Sequence, residues 1–252
     1  MKNNLVSVDF WDTLVRADSN GEKRNEARTK AIRTLSRRYG KEPTDEAIRN
    51  AREHVSRVFD EEWFGRQRTQ STEELARSML DLLAIPANPA EVDDLAEAFR
   101  ESLFLGPPEL APEVKEALAG ISIYYRMAIV SDTMFTPGSV IRRYLDQMGI
   151  LHHFEAFAFS DEVGVSKPHP KAYEKVLRET GADAARSWHV GDMLRTDITG
   201  ARAMGMKTIL YTGISGDSGT KRTKSKDSSA DASPDYSSDS WENVADILIS
   251  EL

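Results

Sequence analysis

Acidic, hydroxyl and lysine side chains recur where strand-like segments of this sequence end. Asp9, Ser131 and Asp192 each come directly after a short apolar stretch, Lys167 lies between another such stretch and a helix, and Asp197 follows five residues after Asp192. Carboxylate oxygens are the ligands that Mg²⁺ prefers, whereas a lysine and a hydroxyl neutralise phosphoryl oxygens. If the strands lie side by side, this set predicts a site for Mg²⁺ and a phosphate group.

Each of these residues also has a plainer explanation when it is taken alone. Asp and Ser often end strands because they favour turns and helix caps. Four such coincidences at four strand ends favour the chemical interpretation, since independent turn formers have no reason to converge on one edge.

The second half of the sequence provides the frame that would hold these residues together. Apolar strand-like runs at 126–130, 154–159, 187–190 and 206–211 alternate with helical patterns at 137–148, 170–180 and 196–204. Strands that are apolar throughout are typical of a parallel sheet covered on both faces. The predicted fold class is α/β, with a Rossmann-like doubly wound sheet whose ligands bind outside the carboxyl ends of the strands.

The chain divides into three parts by pattern. Residues 16–105 read as helices only, so we predict an all-helical cap inserted after the first strand. The α/β core then comprises 1–15, 106–214 and a terminal helix at 241–252. Nine of the 26 residues in 215–240 are serine, and this segment is predicted to be a disordered loop because it offers little apolar surface to bury.

Composition excludes several classes of function. The 252 residues contain no cysteine, which excludes disulfide scaffolds, thiolate nucleophiles and thiolate metal sites. The formal charge of −8 argues against nucleic acid as a partner. No apolar run suits a membrane span or a signal peptide, so the expectation is a cytoplasmic protein with no membrane partner. The sequence does not indicate an oligomeric state.

Four short motifs in this order resemble those of the haloacid dehalogenase-like (HAD) superfamily. They are Asp9-Phe10-Trp11-Asp12-Thr13-Leu14, Val130-Ser131-Asp132, Lys167-Pro168-His169-Pro170, and Gly191-Asp192 followed by Asp197. The helical insertion also lies where that family carries its C1-type cap. Each motif alone is weak, whereas all four together are specific, and the resemblance covers almost the whole predicted core.

The resemblance implies a role for each matching residue. Asp9 would be the nucleophile that forms an aspartyl-phosphate, Ser131 would hydrogen-bond the phosphoryl oxygens, and Lys167 would neutralise them. Asp9, Asp192 and Asp197, with the main-chain carbonyl of Trp11, would hold Mg²⁺. Thr13 and Asp132, within the first two motifs, are further candidates for contact with the substrate.

One position departs from the pattern of the family's phosphatases. Most phosphatases of the family that this sequence resembles carry a second Asp two residues after the nucleophile, which serves as the acid for the leaving oxygen. In this sequence that position is Trp11. An indole has no proton suited to this task. Asp12, one residue later, could take over or could simply cap the turn. Two alternatives to a phosphatase stay open: a dehalogenase or phosphonate hydrolase, and a weakly active domain that binds a ligand or partner.

The substrate implied by the resemblance is a small phosphorylated metabolite, read by the cap. The segment 63–68 looks like a loop between cap helices, and Arg66 or Arg68 could contact an anionic group of the substrate. An exposed loop with Trp63 and Phe64 in the core of the cap is the alternative. The five histidines lack metal-binding spacing and are expected at the surface or in packing.

Overall fold

A computed structural model describes residues 4–214 and 233–252 of the chain. Its main feature is a six-stranded sheet in the order β5-β4-β1-β6-β7-β8, in which every neighbouring pair is parallel. The strands are β1 (Leu5–Val8), β4 (Arg126–Ser131), β5 (Ala156–Phe159), β6 (Trp188–Gly191), β7 (Lys207–Tyr211) and β8 (Tyr236–Ser238). The α/β fold class predicted from the apolar strands is confirmed.

Helices cover both faces of this sheet. They are α5 (Val114–Tyr124), α6 (Gly138–Gln147), α7 (Ser160–Val163), α8 (Pro170–Thr180), α9 (Thr199–Ala203) and α10 (Trp241–Ser250). Val6 and Val8 of β1 belong to a core shared with α5, α6 and α10, whereas Leu5 belongs to a second core shared with α8 and α9. Alternate residues of β1 are therefore buried on opposite faces, as expected for a central strand covered by helices on both sides.

Four helices connect β1 to the rest of the sheet. They are α1 (Gly21–Arg37), α2 (Asp45–Arg66), α3 (Thr72–Leu82) and α4 (Pro89–Leu105). Ser71 and Asn88 begin α3 and α4 with capping boxes, each formed with the glutamate three residues later. The helices share a hydrophobic core of their own, into which Phe135 from the sheet side also packs. Among the described residues, none of the helices could span a membrane by length and apolarity together.

A short antiparallel pair stands at the base of this helical insertion. Strand β2 (Val15–Arg16) leads into it and pairs with β3 (Glu109–Leu110), which leads out of it. The chain therefore enters and leaves the helical insertion at one place, where the two crossing segments are paired. Two-residue strands of this kind give almost no periodic signal in a sequence.

Two details differ from the sequence-based expectation. The prediction of a disordered loop over 215–240 is wrong for residues 233–240, while residues 215–232 lie outside the described residues. Within residues 233–240, β8 pairs with β7, and Asp235 accepts hydrogen bonds from the backbone N (2.8 Å) and Oγ1 (2.9 Å) of Thr208. Backbone pairing and one carboxylate, not apolar burial, order this polar segment, so its composition concealed the strand.

The second difference concerns the segment 63–68, which was expected to be a loop. Helix α2 continues through it to Arg66, and only Gln67, in a left-handed conformation with φ 51°, ends the helix. The side chains of Trp63 and Arg66 therefore project from a helix, which fixes their directions more firmly than a loop would.

Candidate active site

Asp9 lies at the carboxyl end of the central strand. All four residues of β1 are buried, and β4 and β6 pair with it on either side. The backbone N–H of Asp9 extends this ladder by donating to the carbonyl of Val190 at 2.9 Å. Ser131 is the last residue of β4, and Asp192 directly follows β6. The sheet thus brings the three predicted strand-end residues to one edge, as expected from the parallel topology.

Lys167 joins two of the carboxylates at this edge. Its Nζ lies 2.7 Å from Oδ1 of Asp9 and 2.6 Å from Oδ1 of Asp197, and all three side chains are buried. Burial would lower the pKa of Lys167, but Asp197 and Asp9 hold that pKa well above its usual value. The lysine is therefore a fixed positive charge between two carboxylates.

Asp197 is held in place by several contacts that the sequence motifs did not predict. It lies in a π-helical turn that spans Leu194–Ile198, and its Oδ2 accepts a hydrogen bond from the backbone N of Met193 at 3.0 Å. Gly191 makes room for it, since a Cβ there would come within 2.3 Å of Cγ of Asp197. Burial would raise the pKa of Asp197, but Lys167 and His189 outweigh burial and hold that pKa well below its usual range.

His189, which was expected from the sequence at the surface or in packing, is packed in the core and also contacts a site residue, which the sequence did not indicate. It is fully buried on β6, and its Nε2 donates to Oδ1 of Asp197 at 3.0 Å. Its Nδ1 lies 2.8 Å from Oγ of Ser7. The only available signal was a polar residue inside an otherwise apolar strand, two residues before the Gly191-Asp192 motif begins.

Three carboxylates could hold a metal ion together. Oxygen atoms of Asp9, Asp192 and Asp197 all lie within 4.8 Å of one another. Burial and the charges of Asp197 and Asp9 raise the pKa of Asp192 well above its usual value, and burial raises that of Asp9 against the effect of Lys167. Such raised pKa values show that one positive charge does not balance three carboxylates, which is the electrostatic setting in which a divalent cation is stabilised.

Two buried hydroxyl groups belong to the first two motifs and have no hydrogen-bond partner within the described residues. Oγ of Ser131 and Oγ1 of Thr13 are both buried and form no hydrogen bond of normal geometry within the described residues, although Ser131 lies close enough to Asp9 to lower the pKa of that carboxyl. The carbonyl of Thr13, in contrast, accepts a hydrogen bond at 3.0 Å from the indole of Trp241, a fully buried residue of α10. The terminal helix therefore fixes the loop after Asp9 while leaving the Thr13 hydroxyl available. Buried polar atoms without partners are uncommon and often have a functional explanation.

Neither Trp11 nor Asp12, which follow the candidate nucleophile, is placed to act as a general acid. Asp12 has a left-handed backbone with φ 52°, and its Oδ1 accepts a hydrogen bond from the backbone N of Ala17 at 2.9 Å. This contact matches the interpretation of Asp12 as a turn cap. Trp11 packs edge-to-face on Phe10, with ring centroids 4.8 Å apart.

Asp132 connects the helical insertion to the sheet. Its Oδ1 accepts from the backbone N of Lys167 at 3.0 Å, and its Oδ2 accepts from Nε1 of Trp63 on α2 at 2.8 Å. Burial raises the pKa of Asp132 to about 7. Since both oxygens have protein partners, these contacts describe a link between the two parts of the chain. The sequence contained no signal for the Trp63 contact.

Arg66 and Arg68 are engaged by carboxylates of the cap. Arg66 lies 3.0 Å from Glu62, one helical turn earlier, and its side chain is 76% exposed. Arg68 pairs with Glu62 at 3.8 Å and also with Glu74. The structure therefore does not bring either arginine into contact with Asp9, Ser131 or Lys167.

The chain belongs to the haloacid dehalogenase-like hydrolase family, whose model matches residues 23–211. This membership agrees with the four motifs and with the site that they form at the sheet edge. Solved structures support the fold over nearly the whole chain. A 2-haloacid dehalogenase from Pseudomonas syringae superposes with a TM-score of 0.73 at 22% identity, covering 99% of each chain. A HAD phosphatase from Thermococcus onnurineus gives 0.60 at 20% identity, covering 97% of each.

Curated relatives match over a shorter region. The chain is 32% identical over 135 residues to glyceraldehyde 3-phosphate phosphatase from Pyrococcus abyssi, covering 53% of this chain and 55% of that protein. It is 31% identical over 123 residues to phosphoserine phosphatase from Thermus thermophilus, covering 48% and 47%. The chain thus spans about half the length of the curated relatives it matches.

Proposed function

We propose that this protein is a Mg²⁺-dependent phosphatase that hydrolyses a small phosphorylated metabolite through an aspartyl-phosphate on Asp9. The observation that carries the proposal is the position of Lys167, 2.7 Å from Asp9 and 2.6 Å from Asp197, next to the carboxylate of Asp192. A nucleophilic carboxylate can approach an anionic phosphate only where positive charge offsets their repulsion.

The chemistry would proceed in two displacements at phosphorus. An oxygen of Asp9 attacks the phosphorus atom, the bond to the ester oxygen breaks, and the departing oxygen takes a proton from water and leaves as the alcohol. Water then attacks the acyl phosphate, which releases inorganic phosphate and restores the carboxylate. Lys167 contacts only Oδ1 of Asp9, so the second oxygen is available for attack.

The residues present suit the metal ion. Asp9, Asp192 and Asp197 offer the hard oxygen ligands that Mg²⁺ requires, and neither oxygen of Asp192 has a hydrogen-bond partner among the described residues. The carbonyl of Trp11 is proposed as a fourth ligand on the basis of the family resemblance. When bound, Mg²⁺ would supply positive charge to the transferring phosphoryl group.

The unpartnered hydroxyls fit the binding of phosphoryl oxygens. Ser131 and Thr13 are buried donors at the same edge as Asp9, and each can donate to one phosphoryl oxygen while Lys167 contributes charge. Binding of this kind would satisfy both hydroxyls at once. Asp132 would act indirectly, by holding the backbone of Lys167 in place.

Phosphatases among the relatives support this substrate class. Two of them are named for glyceraldehyde 3-phosphate and phosphoserine, both small phosphate monoesters. The dehalogenase alternative is supported by Trp11, because that reaction needs no acid at this position, but not by the carboxylates at Asp192 and Asp197. A cytoplasmic location and the absence of a nucleic-acid partner stay predictions from composition and charge.

Release of phosphate and of halide across a substrate panel tests the proposal. The wild type, the Asp9→Asn variant and the exposed control Asp146→Asn are assayed with Mg²⁺ and with EDTA. Phosphate release that needs Mg²⁺ and is lost only in Asp9→Asn supports the phosphatase. Halide release without metal supports a dehalogenase, and binding without turnover supports a ligand-binding domain; either result contradicts the proposal.

A further inference from the structure

A cavity of about 170 Å³ lies beside the loop that follows Asp9. Its walls include Trp11, two residues after the candidate nucleophile, and Phe135, four residues after Ser131. Arg24 and Arg28 of α1 form the side contributed by the helical insertion. A water molecule occupies about 30 Å³ of liquid volume, so the cavity is large enough for a small polar group of a ligand.

Arg28 lies against this cavity with an incompletely satisfied guanidinium group. Its Nε donates to Oγ of Ser102 at 2.9 Å, and its Cζ lies 4.4 Å above the ring of Phe135. Within residues 4–214 and 233–252, no hydrogen bond engages its two terminal nitrogens and no carboxylate forms an ion pair with it. A guanidinium group has five N–H donors, so four of them are left for a ligand.

The charge around Arg28 is positive and uncompensated. Arg24 directs its own guanidinium to backbone carbonyls, including those of Ser19 (2.8 Å) and Gly106 (2.6 Å), and is thereby held in place. Burial, together with the like charges of Arg24 and Arg52, lowers the pKa of Arg28 to about 9. Partly buried cations without a counter-charge are costly for folding, which suggests that this one is retained to bind an anion.

Other cap arginines provide a contrast. Arg66, Arg68 and Arg100 all form ion pairs with glutamates of the same helical insertion. A second anionic group near the site would therefore meet the positive charge of Arg28 on α1. The arginines at the end of α2 are already paired.

We propose that Arg28 binds a second anionic group of the substrate, so that the preferred substrates are phosphate monoesters that also carry a carboxylate or a second phosphate. The planar guanidinium fork matches either group in a bidentate manner. Trp11, two residues after the candidate nucleophile, lines the same cavity and stands in place of the acid found in most phosphatases that the motifs resemble. This inference rests on the proposed function, because it assumes that the phosphoryl group binds at Asp9.

Three phosphate esters with similar short chains test this preference, because their second substituent is a carboxylate, a second phosphate or a neutral hydroxyl. They are 3-phosphoglycerate, glycerol 1,3-bisphosphate and glycerol 3-phosphate. We expect the wild type to favour one or both of the first two, and Arg28→Gln to raise KM for the favoured ester by about 10- to 100-fold, the effect of losing hydrogen bonds to a charged group. KM for glycerol 3-phosphate should change less than about threefold.

Two control variants test a purely structural role. Ser102→Ala removes the partner of Nε but leaves the guanidinium group, and Lys30→Gln removes one charge from the exposed face of the same helix. Both should keep the preference for the esters that carry a second anionic group. If Ser102→Ala abolishes the preference as Arg28→Gln does, or if Arg28→Gln affects all three esters equally, the inference is wrong.

Equilibrium binding separates this inference from the proposed function. Calorimetric titration of the same esters in EDTA measures affinity without turnover, in the wild type and in Arg28→Gln. If no ester yields phosphate but the esters with a second anionic group still bind more tightly through Arg28, the phosphatase proposal fails and the role of Arg28 stands. If phosphate is released and the wild type prefers glycerol 3-phosphate, the role of Arg28 fails alone.

Discussion

The ammonium group of Lys167 lies 2.6 Å from Oδ1 of Asp197, and the same nitrogen lies 2.7 Å from Oδ1 of Asp9. A chain of contacts continues from Asp197 through His189 to Ser7. The candidate nucleophile Asp9 is therefore linked, through Lys167 and Asp197, to buried side chains of β6 and β1. This arrangement makes Asp197 as much a positioning group for Lys167 as a candidate metal ligand.

Removing the Lys167 charge should affect both activity and stability. In Lys167→Met, Asp9 and Asp197 lose their shared counter-charge, so kcat/KM should fall by about 10²- to 10³-fold, as when one electrostatic donor is lost. At pH 8 in EDTA, the free energy of unfolding should fall by about 3–5 kcal/mol, because buried carboxylates are left uncompensated. Urea denaturation and phosphate release measure the two effects.

The exposed Lys171, on α8, is the matched control. Lys171→Met should leave both quantities unchanged within error. Activity retained in Lys167→Met would mean that Mg²⁺ alone can balance the carboxylates, and the lysine would then have no electrostatic role in the reaction.

His189 should act on the rate through Asp197. In His189→Leu, Asp197 loses a buried hydrogen bond, and kcat should fall by about 10- to 100-fold, as is typical when the partner of a metal-site ligand is removed. The KM should change little, because His189 does not line the substrate side. His189→Gln keeps an amide donor and should recover part of the loss. An equal loss in both variants would indicate a packing role only.

The candidate site was largely predictable because its residues follow strands in a fixed order. Asp9, Ser131 and Asp192 needed only a parallel sheet to meet, and the sheet was evident from apolar runs. His189 and Trp63 were not predictable in the same way, because each acts through one side-chain hydrogen bond between segments distant in sequence. The periodicity of apolar residues predicts which face of a strand or helix a residue occupies, but it does not predict the hydrogen-bond partner of that residue.

The fold shows the same division between periodic and specific signals. The helices of the insertion have caps and regular apolar spacing, and their positions followed from those signals. Strand β8 has neither, because it is a three-residue edge strand ordered by pairing with β7 and by Asp235. Interactions that depend on a single carboxylate leave no periodic trace in the sequence.

The burial of Asp132 should make stability depend on pH, because burial raises the pKa of this carboxyl against the effect of its partners Lys167 and Trp63. The pKa of Asp132 is raised from 3.8 to about 7 in the folded protein, so between these values only the folded state holds this proton. Asp132 therefore contributes stability below pH 7, and this contribution is lost as pH rises through 7. From pH 5.5 to 8.5, the free energy of unfolding should fall by about 2 kcal/mol more in the wild type than in Asp132→Asn.

Urea denaturation in EDTA at several pH values provides this comparison. Asp9 and Asp192 also have raised pKa values, but they are present in both proteins, so the difference between the profiles reports Asp132 together with its charge interaction with Asp9. Parallel pH profiles for the two proteins would show that Asp132 has an ordinary pKa.

Trp11 should make the rate depend on the leaving group. With no carboxylic acid two residues after Asp9, and with Asp12 bound to the backbone of Ala17, the departing oxygen has no evident proton donor among the described residues. Aryl, acyl and enol phosphates, whose leaving groups are weak bases, should therefore react much faster than alkyl phosphates. General acid catalysis contributes about 10²–10⁴ in rate, which sets the size of the expected difference.

Restoring an acid at position 11 tests the same point from the opposite direction. Trp11→Asp should raise kcat for alkyl phosphates by at least about tenfold and flatten the dependence of kcat on leaving-group pKa. Trp11→Phe, which changes the ring but adds no acid, should keep the steep dependence. Comparing kcat separates this effect from any change in KM caused by the wall that Trp11 contributes to the cavity at Arg28. A flat dependence in the wild type would show that another group already supplies the proton.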